Sequence, residues 1–234
     1  MTETAAAIAA LRALADPVRA AGMAAYHKVA RVYLGVPVPE VEALARGWRE
    51  GATVAQRVAL AAGLWDSDIH EARVAAAKLL TQARIRPDDA PVWELIAGWA
   101  EGFDGWALAD HASAAGGKRL VADPRRLDRV EGWLDHPNMW TRRAALVMTL
   151  PWTRLTHPKP AETAVRLRVL GWAARLADER AWFIQKAIGW WLRDLSRHAP
   201  EMTRDWLDQH GARLKPFARK EAARQTIGRG GVAG

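Results

Sequence analysis

Apolar positions along this chain recur at three- and four-residue steps. The stretch 180–198 shows it most clearly, with Ile184, Ala187, Ile188, Trp191 and Leu195 forming one apolar stripe. That spacing is the mark of a helix with one buried face. Runs of Val, Ile and Thr with a period of two are missing. Prolines such as Pro17, Pro91, Pro124, Pro151, Pro160, Pro200 and Pro216 separate Ala/Leu/Arg-rich stretches of helical length. Proline is tolerated at a helix start or just past a helix end, so these positions read as junctions. The pattern predicts about twelve helices and no sheet.

The polar positions of 180–198 carry a second message. Neighbours on a helix point about 100° apart, so Trp190 and Trp191 cannot both enter one core. Trp191 falls on the apolar stripe. Trp190 falls in a row with Lys186, Arg193 and Arg197. Such a row suits nucleic acid, because cations meet phosphates and an indole offers a flat π-face. It equally suits a Trp packed on a neighbouring helix among solvated charges, and this helix alone leaves both readings open.

Three segments resemble one another: "HEARVAAAKLL" (70–80), "WTRRAALVMTL" (140–150) and "FIQKAIGWWLR" (183–193). Aligned on Arg73, Arg143 and Lys186, they are 70 and 43 residues apart. The larger gap has room for one more unit, which "WALADHASAA" (106–115) fits, with Asp110 where the others have a cation. Degenerate helical pairs at roughly 40-residue spacing predict an all-α fold, a curved solenoid of HEAT-like antiparallel repeats with a concave face. The expected organisation is a single repeat domain over 1–227, followed by a Gly-rich tail, 228–234, too poor in side chains to pack.

Two further segments hold candidate chemistry. Trp106 and Asp110 are four apart and share a helical face. Asp110 is a cap, a surface acid or a charge placed for chemistry, and composition does not choose among these. In "HPNMWTRRAALVMTL" (136–150), Asn138 suits a helix cap and Trp140 suits packing. Arg142 and Arg143 point about 100° apart, so only one of them lies centrally on any given face.

Charge narrows the partner. Residues 1–117 carry 11 Lys+Arg against 14 Asp+Glu, while 118–234 carry 23 against 12, so the formal charge of +8 sits in the C-terminal half. A basic half suits a polyanion, nucleic acid before anionic membrane, and equally a solvated Arg-rich surface, and charge alone leaves both open. Of the aromatic residues 13 are Trp, against 3 Phe and 2 Tyr, so a few indoles are available as platforms beyond those needed for the core. Cysteine is absent, which removes disulfides and thiolate metal sites. No apolar run reaches transmembrane length, and the N-terminus lacks the basic start and long apolar run of a signal peptide, so a cytoplasmic protein is expected. HExxH, G-x-S-x-G and Gly-rich nucleotide loops are missing, so no metal and no cofactor is expected.

The segments "NMWTRRAALV", "WFIQKAIGWWLRD", "FDGWALAD" and "LKPFARKEAAR" (214–224), with the earlier "AYHKVARVYLGVPVPEVEALAR" (25–46), resemble the AlkD-like DNA alkylation repair family of HEAT-like-repeat DNA glycosylases. The resemblance runs from about residue 25 to 225. It implies a concave face bearing two tryptophans, one aspartate and two arginines. By motif position these are Trp106, Asp110, Arg143, Trp190 and Arg193, with Asp110, Trp106 and Trp190 catalytic. Arg143, Arg193, Lys186, Arg142 and Arg197 are the expected DNA contacts. Two departures stand out. Gly105-Trp106-Ala107 replaces the family's Trp-Trp-Asp run, and Pro151 interrupts the block after Arg143 where another basic contact is expected.

Three functions follow. The first is a bacterial DNA glycosylase in base excision repair, a monomer without membrane attachment that excises positively charged alkylated purines such as 7-methylguanine or 3-methyladenine from double-stranded DNA. The second, motivated by the departures near Trp106, is a non-catalytic protein binding damaged, bent or branched DNA. The third is a protein-binding solenoid.

Overall fold

The computed structural model describes residues 3–225, and the Gly-rich 228–234 segment lies outside the described residues. Among them are fourteen α-helices, four 3₁₀ turns and no strand, with one isolated bridge between Val32 and Ile69. The all-α expectation holds. The helices exceed the sequence-based count because α8 (Leu127–Gly132) and α10 (Leu150–Thr153) are too short to show a period. The chain forms two compact units that divide at Asp123 and Pro124.

The first unit holds α1 (Glu3–Ala13), α2 (Pro17–His27), α3 (Val38–Arg49), α4 (Val54–Asp66), α5 (His70–Leu80), α6 (Ala90–Ala100) and α7 (Trp106–Ala122). Its centre is α5, which packs against α3, α4 and α7. Ala72, Ala75, Ala76 and Ala77 are fully enclosed there, since methyl side chains let several helices approach one another. Glu71, 1% exposed, stands in the first turn of α5 and accepts from the Leu34 and Gly35 amides at 2.9 and 2.7 Å. Gly35 has φ +79°, and a Cβ there would lie 2.2 Å from the Asp16 carbonyl oxygen, so only glycine fits. This fixes the 28–37 connection beside α5. Gly105 then leads into α7, whose Ala107, Leu108, Ala109, Ala112 and Leu120 are buried. Trp106, Asp110 and Lys118 fall on its more exposed edge.

The second unit holds α8 and α10 with α9 (Met139–Val147), α11 (Pro160–Arg175), α12 (Trp182–Ser196), α13 (Pro200–His210) and α14 (Pro216–Ala222). Its centre is α12, which packs against α9, α10, α13 and α14. The stripe expected from sequence is the buried one: Ile184, Ile188, Trp191 and Leu195 are 0% exposed and Ala187 2%. The Trp191 indole nitrogen donates to Thr149 Oγ1 at 3.1 Å, which satisfies the one polar group of that side chain. Gly189 is needed where α12 meets α14, because a Cβ would stand 3.0 Å from the Ala218 carbonyl oxygen. Asn138 caps α9 through the Trp140 amide at 2.9 Å.

Candidate nucleic-acid interface

In the first unit, Trp106 is the opening residue of α7, and Asp110 follows one turn later. Both are partly exposed. The Trp106 ring meets Tyr26 edge-on at 5.8 Å and His27 at 5.4 Å. His27 in turn stacks on His70 at 4.6 Å, and His70 on Tyr33 at 5.0 Å. A graded aromatic cluster results, running from His70, 5% exposed, to Tyr26, 69% exposed. Trp106 therefore stands on a braced foundation rather than alone on a surface.

The imidazoles of this region are neutral at pH 7. Burial pushes the His70 pKa down to about 3, helped by the neighbouring His27 and Arg31 charges. Burial lowers His27 in the same direction. His111, beside Asp110 in sequence, is pushed down to about 4 by burial and then by Lys78, against the opposing pull of Glu42. Lys78 and Glu42 form an ion pair at 2.7 Å. Arg31 is 2% exposed along its side chain, pairs with Asp104 and lies 3.6 Å from Asp68. Sequence reasoning missed this cluster. The run "AYHKVARVY" (25–33) has three ring side chains in it, but it leaves α2 after His27 and continues without regular structure, so it shows no period to interpret.

In the second unit, the basic row of α12 is real as a surface and is heavily paired. Trp190 is partly exposed, and its indole nitrogen donates to Asp194 Oδ2 at 3.2 Å. Arg193 donates from Nε and Nη2 to Asp194 Oδ1 at 3.2 and 3.1 Å, and from Nη1 to Glu221 Oε1 at 2.6 Å. Lys186 Nζ donates to the other Glu221 oxygen at 2.9 Å. The close contact at Gly189 brings α14, and with it Glu221, within reach of both cations. Asp194 and Glu221 are the site residues that sequence missed. Glu221 sits in the late "LKPFARKEAAR" segment, and nothing in its local spacing reveals partners 28 and 35 residues away.

The remaining expected contacts differ in character. Arg142 makes a two-pronged pair with Glu179 at 3.0 and 2.6 Å and also donates to the His136 and Pro137 carbonyls. Arg143 is 3% exposed, donates to the Phe183 carbonyl at 2.9 Å and lies 5.8 Å from that ring. It ties α9 to the start of α12. Arg197 follows α12 and is exposed. Near the start of the same helix, Trp182 is 50% exposed, stacked on Phe217 at 5.6 Å and edge-on to Phe183 at 4.8 Å. It opens α12 about two turns before Trp190 and about 80° around the helix from it.

The structure thus gathers Lys186, Trp190 and Arg193 around two buried acids in the second unit, and Trp106 and Asp110 along one edge of α7 in the first. Among the described residues no helix is long and apolar enough to cross a membrane.

Comparison with solved structures finds the same fold. A protein described as a predicted DNA alkylation repair enzyme from Enterococcus faecalis superposes with TM-score 0.74 at 23% identity, over 90% of this chain and 95% of that one. AlkD2 from Streptococcus mutans gives TM-score 0.61 at 18% identity, over 84% and 91%. The protein smu.31 from Streptococcus mutans UA159 gives 0.60 at 19%, over 80% and 92%. No curated protein matches the chain. The sequence profile of the DNA alkylation repair enzyme family matches residues 7–226, and by that match, which spans both helical units, this chain belongs to the family.

Proposed function

We propose that this protein is a DNA glycosylase that excises positively charged alkylated purines from double-stranded DNA. The observation that carries the reading is the α7 edge, where an indole and a carboxylate stand one turn apart, partly exposed and braced by Tyr26 and His27.

The chemistry asks little of the protein. A purine alkylated at N7 or N3 already bears positive charge, so it leaves as a neutral base and takes the glycosidic electron pair with it. Positive charge then builds on the deoxyribose, as in other glycoside hydrolyses. The Asp110 carboxylate stabilises that charge, and water adds to the sugar carbon and gives up a proton. Fixed charge of this kind acts by electrostatic preorganisation. The Trp106 and Trp190 faces attract cationic rings and exclude water. No general acid is required, in keeping with a single carboxylate on this edge of α7. Lys186, Arg193 and Arg197 offer charge to phosphates, which position DNA without reading its sequence. Arg142 and Arg143 hold α9 in place against Glu179 and Phe183.

The test is the appearance of abasic sites. Purified protein incubated with N-methylated duplex should produce abasic sites and free methylated purine well above the spontaneous loss from the same duplex without protein, and unmodified duplex should produce neither. DNA that is bound and left intact would instead assign the protein to recognition of damaged or distorted DNA without base removal.

A further inference from the structure

We propose that Arg154 is a phosphodiester contact beside Trp190, and that Asp194 and Glu221 form a buried acidic frame that holds Trp190, Arg193 and Lys186 in place behind it. The inference rests on the DNA-binding part of the reading above.

The cations of this group differ in how many of their donors are already used. Arg193 directs three of its nitrogens at carboxylates, and its side chain is only 23% exposed. Lys186 is committed to Glu221. The acids are themselves shielded, with the Asp194 and Glu221 side chains 7% and 9% exposed. A buried acid bound to several donors keeps its partners in one geometry, because releasing any of them leaves a charge uncompensated in a poorly solvated place. The two acids therefore act as a frame, and much of the row's positive charge is spent on it.

Arg154 is different. Its side chain is 65% exposed, and Nη2 stands 3.6 Å from Asp194 Oδ2, the oxygen that receives the Trp190 indole. That separation is beyond a good hydrogen bond, so Arg154 is attracted to the site while its donors stay available. No other ion pair is made by Arg154 among the described residues. Its backbone is fixed as well. Arg166, 2% exposed, donates to the carbonyls of Trp152 at 2.8 Å and of Leu155, on either side of Arg154. The cluster of Lys186, Arg193 and Arg154 against Asp194 and Glu221 leaves one positive charge uncompensated, and it lies on the most exposed member. A phosphodiester, with one negative charge and no other demand, is the matching ligand. Pro151 stands in the first turn of α10, and Arg154 caps the end of that short helix, so the proline that breaks the basic block belongs to the element from which the outward cation emerges.

The experiment measures the affinity of the full chain for a fluorescent duplex at several salt concentrations, for wild type, Arg154→Ala, Arg154→Lys and, as a control for generic charge, Arg204→Ala. Arg204 is an exposed cation paired with Glu201 on α13. Loss of one phosphate contact should flatten the log–log salt slope by about 0.9 and weaken binding about five-fold at 0.15 M salt. Arg154→Ala should show both changes, while Arg154→Lys and Arg204→Ala stay near wild type. An unchanged slope in Arg154→Ala, or an equal change in Arg204→Ala, overturns the inference and leaves DNA binding standing. Absence of saturable DNA binding by the wild type overturns the DNA reading and this inference with it.

Discussion

Mild acid should destabilise this protein well before its carboxylates protonate. The structure holds His70 and His111 neutral by burial, with pKa values of about 3 and about 4. In the unfolded chain each returns to an ordinary value near 6.5. Below pH 6.5 the unfolded state therefore binds protons that the folded state refuses, and stability falls as pH falls. Each histidine costs about 1.4 kcal/mol per pH unit, so at pH 5 each removes about 2 kcal/mol and the pair about 4 kcal/mol. His27, lowered by burial against the same cluster, acts in the same direction. Urea unfolding at pH 7, 6 and 5 reads the effect directly. With a slope of about 2 kcal/mol/M, the midpoint should drop by about 2 M between pH 6.5 and 5. His70→Phe, which keeps a ring between His27 and Tyr33, should remove about half of the pH dependence. A midpoint that is constant from pH 7 to pH 5 would refute the claim that burial holds these imidazoles neutral. Because His70 supports His27 and His27 supports Trp106, acid should also loosen the α7 edge.

Other expectations follow from single contacts. Glu71→Ala strands the Leu34 and Gly35 amides in a buried turn and should cost about 2–5 kcal/mol, measured by chemical unfolding. Gly35→Ala forces a methyl into the Asp16 carbonyl and a side chain into a left-handed backbone, and should cost at least about 1–3 kcal/mol in the same assay. Glu221→Gln removes the charge that holds Lys186 against Arg193. It should lower the melting temperature by several degrees while making the salt dependence of DNA binding steeper.

Much of the fold is legible in the sequence because its cause is local. The α12 stripe is a three- and four-residue period, and the structure buries those residues and no others of the disputed pair: Trp191 inward, Trp190 outward. Asn138 and the helix-opening prolines follow the same logic, since caps and fixed φ angles act within one turn. The aligned cations of the similar segments were harder to interpret. Arg73 donates to the Trp65 carbonyl at 2.8 Å, Arg143 to that of Phe183, and Lys186 to Glu221. Each reaches a neighbouring helix, so a basic residue followed by small ones marks a tie between helices as much as a surface charge.

The site was legible only in part, for a related reason. A helical wheel shows which residues share a face, and it correctly grouped Lys186, Trp190 and Arg193. It says nothing about what stands opposite. Glu221, Asp194 and Arg154 complete that group through contacts between α10, α12 and α14, and Glu179 occupies Arg142 from a loop 37 residues away. Such pairings depend on helix packing, which no local period encodes. The His27–His70–Tyr33 cluster lies partly in a connection without regular structure, where sequence pattern carries least.

The most direct test of the account compares wild type with Asp110→Asn on duplex DNA methylated at purine nitrogens, with free base separated by chromatography and DNA affinity measured on the same preparations. The account predicts methylated purine release by the wild type, loss of release in the variant by at least about a hundred-fold, and affinity equal or slightly higher because a negative charge near phosphate is gone. Equal release by both proteins, or release and affinity falling together, would contradict the assignment of Asp110 as the carboxylate that stabilises the departing base's sugar.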